Sequence, residues 1–240
     1  MNRRIRGKTR DYDVLCSLEE WGVMDTQQIA MMHFNDIESG LRKCQERLYK
    51  LHEKGKVFRW RGDDGYCYSL ESRSKMWQHT LMLNWVRAYF ELLKKPWEKI
   101  HCFEYEKDHT ILRADAFVAI KNTVTGSFKF YFIELDRTHT NSFDKVRKYN
   151  NLFTEINKGK HQEAWWVKLS EKFPQVLVIT TTKKRENKIL RILREDNSND
   201  LDFKVNLLSE IRESVRKHVC TLPKKNITVK ICPPQDLAEF

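Results

Sequence analysis

The sequence predicts a chain of the α+β / α/β class in two parts, a helical beginning closed by a β-hairpin and a longer mixed α/β domain. Three observations predict it. Apolar residues recur at spacings of three and four up to about residue 54. An alternating strand–turn–strand follows at 57–70. Beyond Pro96, apolar runs of strand length interleave with helical stretches. With 240 residues, 40% hydrophobic and 12% aromatic side chains, there is material for a core in each part, and only 8 Gly and 5 Pro argue against long flexible linkers. The divisions fall at 1–73, at 74–96 for a connecting helix, and at 97–240.

In the first part, residues 11–21 read as a helix with Tyr12, Leu15 and Leu18 on one face and Gly22 as its stop. Thr26 is the expected N-cap of a short helix, Gln27–Phe34. A third helix runs from about Ser39 to Lys54, with Leu41, Cys44, Leu48 and Leu51 as its buried stripe. At 100° per residue the opposite side shows Ser39, Arg42, Lys43, Glu46, Tyr49 and Lys50. Val57–Trp60, a turn at Asp63-Asp64-Gly65, and Tyr66–Leu70 then make a hairpin. Three helices and a hairpin are the layout of a winged helix-turn-helix, whose third helix enters the major groove while the hairpin reaches phosphates. On that layout Ser39, Arg42, Lys43, Tyr49 and Lys50 of the helix and Arg59 and Arg61 of the hairpin are the DNA-binding residues. Next, Trp77, Leu81, Trp85, Ala88/Tyr89 and Leu92 recur at helical spacing, which marks a connecting helix and a candidate for homodimer formation.

Charge supports an anionic partner. Forty-four Lys+Arg against 33 Asp+Glu give +11 and a pI near 9.3. The cations cluster at Arg3, Arg4, Arg6, Lys8 and Arg10. Residues 38–61 hold eight basic side chains and three acids, and residues 183–194 hold six and one. Double-stranded DNA suits this distribution better than a membrane surface. The sequence holds no 18-residue apolar run that would span a membrane, and the basic N-terminus leads into Asp11 and Asp13 instead of an apolar signal-peptide core. The six cysteines are scattered without metal-ligand spacing, as expected of reduced thiols in a cytoplasmic protein.

The second part carries the chemistry. Expected strands are His101–Tyr105, Asp115–Lys121, Phe128–Leu135, Gln175–Thr180 and 227–231; expected helices are 142–157, Lys183–Glu195 and Leu208–Lys217. A hairpin, a helix and the strand Val176–Ile179 imply a right-handed crossover to a parallel neighbour, the ββαβ core of PD-(D/E)xK nucleases. Glu134 and Asp136 share one strand face, Asp115 opens the adjacent strand, and Lys145 and Tyr149 follow on the helix. In an active enzyme Asp115, Glu134 and Asp136 would hold Mg²⁺, with Lys145 completing the catalytic set. Yet the position two after Glu134, where such enzymes carry lysine, is Asp136. The expectation is therefore a nuclease-like site without cofactor or cleavage, its acids neutralised by Lys145 and Arg137. Tyr149 is expected to pack with its hydroxyl on the acids. The helix opened by Lys183-Lys184-Arg185, with Lys188, Arg191 and Arg194, offers either a solvated face or a second phosphate-binding surface.

The series Asp115 … Glu134-Leu135-Asp136-Arg137-Thr138 … Lys145 … Tyr149, behind a winged helix, resembles the replication-relaxation family of plasmid and integrative-element proteins over roughly residues 10–200. It departs in lacking Pro before Asp115 and Gly after Arg137. The resemblance implies a DNA-binding accessory at a replication or transfer origin (relaxosome-type, active in conjugation), working beside a relaxase or replication protein. A Mg²⁺-dependent endonuclease and a transcriptional regulator are the alternatives.

Overall fold

The computed structural model describes residues 3–108, 112–137, 143–170 and 172–222. The expected strand at 227–231 lies outside the described residues, as do the side chains of Arg3, Arg4, Arg6 and Lys8. The architecture is mixed α+β: helices, a small antiparallel sheet of three strands and a mixed sheet of five. The chain divides into two compact units. One runs to Asn84 and includes the segment from Arg216; the other runs from Trp85 to Val215. The division thus cuts the expected connecting helix, and the last described turns count with the first unit.

In the first unit, α1 (Arg3–Trp21) ends where Gly22 adopts φ +72° and donates its N–H to the Leu18 carbonyl. Its buried stripe is Val14, Leu18 and Trp21, whereas Tyr12 is 66% exposed. The expected face is one position off, because Trp21 supplies more apolar area to bury than Tyr12 and fixes the rotation. Strand β1 (Met24–Asp25) leads into α2 (Thr26–His33). The N-cap is Asp25, not Thr26. Asp25 accepts the Gln28 N–H at 2.7 Å while the Gln28 side chain accepts the Asp25 N–H, a reciprocal capping box. Thr26 instead donates its hydroxyl to the Tyr66 carbonyl.

Helix α3 (Gly40–Glu53) starts against α2 so closely that a Cβ on Gly40 would lie 2.2 Å from the Phe34 carbonyl oxygen. It buries Cys44, Leu48 and Leu51, but Leu41 is 49% exposed, so the stripe starts a turn later than expected. Strands β2 (Phe58–Gly62) and β3 (Gly65–Ser69) pair through a two-residue turn at Asp63-Asp64, and β1 adds to the other edge of β3.

Helix α4 (Trp77–Leu93) is buried on all sides over 81–88, so its apolar recurrence is core. Buried Asn84 is satisfied by the carbonyls of Trp21 and Val23. In the second unit, β4 (Glu98–Asp108), β5 (Arg113–Asn122) and β6 (Phe128–Asp136) are antiparallel, and β7 (Gln175–Thr180) and β8 (Phe203–Leu207) continue the sheet in parallel. Between β6 and β7 lie α5 (Lys145–Asn157) and the short α6 (Trp165–Leu169); α7 (Lys183–Asp196) joins β7 to β8, and α8 (Leu208–Thr221) follows. The core on the α5 face joins Phe117, Phe130, Phe132, Val176 and Val178 of the sheet to Val146, Tyr149, Leu152, Trp166 and Ile189 of the helices. Neither β8 nor α6 is among the expected elements. Phe203, Val205 and Leu207 alternate with Lys204 and Asn206, the period of a half-buried strand, so the signal for β8 was present in the sequence.

Among the described residues no helix is long and apolar enough to cross a membrane.

Candidate functional site

The antiparallel register Ala116↔Ile133 carries the start of β5 to the end of β6. Asp115 therefore sits beside Glu134, and its carboxylate accepts the Leu135 N–H at 2.6 Å. Glu134 is 2% exposed. One of its oxygens accepts the Tyr149 hydroxyl at 2.7 Å and the other lies 2.9 Å from Lys145 Nζ. Lys145 also donates to the Arg113 carbonyl at 2.6 Å. Lys145 and Tyr149 stand four apart on α5, one helical turn, so both reach the same carboxylate. Burial pushes the Glu134 carboxyl up to about 7; Asp115 adds to the rise, and Lys145 and the Tyr149 hydroxyl only partly oppose it. Tyr149 is itself held well above the ordinary phenol range, by burial first and then by Glu134.

Asp136 meets a different cation. Arg185, from the first turn of α7, donates from Nε at 3.0 Å and from Nη2 at 2.6 Å to a single Asp136 oxygen. Both side chains are nearly excluded from solvent, while Arg137, the expected neutraliser, is exposed. Arg185 also corrects the picture of an outward basic cluster opening α7. It stands four residues before Ile189, which is fully buried, so the helical period places it on the inward face. That signal was available in the sequence.

Among the described residues no three His, Cys, Asp or Glu side chains form a group able to hold a metal ion. Asp115, Glu134 and Asp136 are brought to one end of the sheet but do not converge as a ligand set. Their oxygens instead face the Leu135 N–H, the Lys145–Tyr149 pair and Arg185.

The residues expected at DNA fall on α3 and the β2–β3 hairpin. Ser39 is the exposed N-cap of α3 without a side-chain cap bond. Arg42 and Lys43 both turn toward Glu46, at 3.5 and 2.9 Å, so part of their charge is compensated. Arg61 is exposed and has no acidic partner among the described residues, whereas exposed Lys50 also faces Glu46, whose carboxyl Lys43 first, then Arg42 and Lys50 hold below its ordinary value. Tyr49 is 51% exposed and lies under the Arg59 guanidinium, 5.6 Å from ring centre to Cζ. Arg59 also lies 4.7 Å from the ring of Tyr66, a diagonal neighbour across the hairpin. Tyr66 is not among the expected residues; its diagonal position opposite Arg59 was the available signal. Arg47 of α3 is taken up by Asp11 of α1 and belongs to the unit's packing.

No family model, curated protein or solved structure matches the chain.

Proposed function

We propose that this chain is a double-stranded DNA-binding protein, its first unit a winged helix and its second a PD-(D/E)xK-like scaffold that no longer cleaves. The observation that carries the reading is the clamp of Arg59 between Tyr49 and Tyr66. It makes the exposed face of α3 and the hairpin one continuous basic and aromatic surface, of the kind that enters a groove and rests on phosphates. The order of α2, α3 and the hairpin, with β1 completing a three-stranded sheet, supports the same assignment. In the second unit, the hairpin, crossover helix and parallel strand support the nuclease-like reading. Glu134 tied to Lys145 and Tyr149, with Asp136 tied to Arg185, supports its lack of catalysis. The resemblance of residues 115–149 to replication-relaxation proteins supports a role as accessory in plasmid or mobile-element replication or transfer.

The test incubates supercoiled and linear plasmid with the pure protein in the presence of Mg²⁺ or Mn²⁺. Retardation without nicking is the expected result, and absence of retardation at low salt overturns the DNA-binding reading. One observation favours the second reading, a Mg²⁺-dependent endonuclease: the Lys145 ammonium stands beside the Glu134 carboxylate, where such an enzyme needs a cation. Cutting by the wild type, lost in Glu134→Gln at unchanged melting temperature, would establish that enzyme instead.

A further inference from the structure

Helix α7 divides its charged residues sharply. Arg185 and Glu186 turn inward with Ile189, and Lys183 is held 2.5 Å from Glu186. Lys184, Lys188 and Arg191 lie on a different side of the helix. With Asn187 and the edge of Arg185 they line an open recess of about 470 Å³ to which no acid contributes. None of the three has a carboxylate partner among the described residues. On α3, by contrast, Arg42 and Lys43 share Glu46 and Arg47 is bound to Asp11. The larger uncompensated positive stripe is therefore on α7. Its members stand at i, i+4 and i+7, which spreads three cations over roughly 10 Å along one side of a helix. That length spans about three successive phosphates of one strand, which rise about 3.4 Å each. The mounting is rigid, because the Arg185–Asp136 ion pair and the buried Ile189 fix the rotation of the helix from its inward side.

We propose that Lys184, Lys188 and Arg191, with the Asn187 amide between them, form a second contact to the phosphodiester backbone of duplex DNA. The stripe lies on the second unit and rests on the DNA-binding reading given above. It would add affinity without sequence preference, since phosphate oxygens are the same at every base pair. The three cations make no ion pair that holds the fold, so their removal leaves stability unchanged.

The experiment compares three full-length proteins: wild type, Lys184→Gln/Lys188→Gln/Arg191→Gln, and Lys50→Gln/Arg59→Gln/Arg61→Gln. Each is titrated with a fluorescent duplex of random sequence, about three helical turns long, across a series of NaCl concentrations, with melting temperature as the folding control. The α7 variant is expected to lose about 0.9 in the slope of log K against log salt for each contact removed, roughly 2 to 3 in all. It is also expected to bind at least tenfold more weakly at low salt. An unchanged slope in a folded α7 variant overturns the second contact, even if the α3–hairpin variant loses affinity and upholds the main reading. Loss confined to the α7 variant upholds the contact and overturns the winged-helix reading. A wild type that binds no duplex overturns both.

Discussion

Arg185 of α7 places two donors on one oxygen of Asp136 at the end of β6, across 49 residues of sequence, with both side chains buried. This ion pair ties the α7 crossover to the strand that carries Glu134. It also occupies the carboxylate two residues after Glu134 on the same strand face.

Breaking the pair from one side leaves a buried charge unmatched. Arg185→Ala and Asp136→Ala are each expected to destabilise the second unit by about 3–5 kcal/mol. The double change Asp136→Leu/Arg185→Met, which removes both charges and keeps the volume, is expected to recover most of that loss. Denaturant unfolding of the three variants measures it, and equal losses in single and double variants would show that packing, not charge, holds the helix.

Glu134 makes stability depend on pH. Its carboxyl is raised from 4.5 to about 7 in the folded protein, so between those values the folded state holds a proton that the unfolded chain has released. Stability from this group is full below about 4.5 and is lost as pH rises through about 7. The total is about 3 kcal/mol at 1.36 kcal/mol per unit. Glu134→Gln cannot ionise and still accepts the Tyr149 hydroxyl, so its stability between pH 4.5 and 7 is expected to lack that decline. Thermal unfolding over the range, wild type against variant, is the measurement. Identical pH profiles would place the carboxyl of the folded protein near its ordinary value.

On the proposed DNA-binding reading, the clamp on Arg59 orders the expected effects on affinity. Arg59→Ala is expected to cost about 1–3 kcal/mol if the guanidinium reads a base edge. Tyr66→Ala removes only one ring from it and is expected to cost about 0.5–1 kcal/mol. Fluorescence anisotropy on one duplex ranks the two, and a folded Arg59→Ala protein with wild-type affinity removes the hairpin from the interface.

The capping box of α2 is local and gives a local prediction. Asp25→Ala leaves the Gln28 N–H without its acceptor in a buried place, at an expected cost of about 0.5–2 kcal/mol. Thr26→Val, which alters the expected N-cap, keeps that acceptor and is expected to cost less. Chemical denaturation of both distinguishes them.

Features that depend on near neighbours in the chain were legible in the sequence. The period of 3.6 put Lys145 and Tyr149 on one side of α5, and the period of 2 put Glu134 and Asp136 on one face of β6. Chain order then made the crossover between β6 and β7, so the meeting of Lys145 and Tyr149 with Glu134 could be read from residue order alone. Gly22 marked the end of α1 for the same reason, because the backbone there takes positive φ. Tertiary packing settled the rest. The helical period turns Arg185 inward with Ile189, but its partner Asp136 is fixed only when α7 is laid on the sheet and burial forces the guanidinium to find a carboxylate. The exposure of Leu41 and Tyr12 depends on which neighbour covers each helix, and periodicity alone does not name the neighbour. The alternation of Phe203, Val205 and Leu207 suits a strand, but its parallel pairing with β7 is set by the open edge that β7 offers. The clamp of Arg59 likewise needs α3 and the hairpin to be brought together before its two tyrosines share one guanidinium.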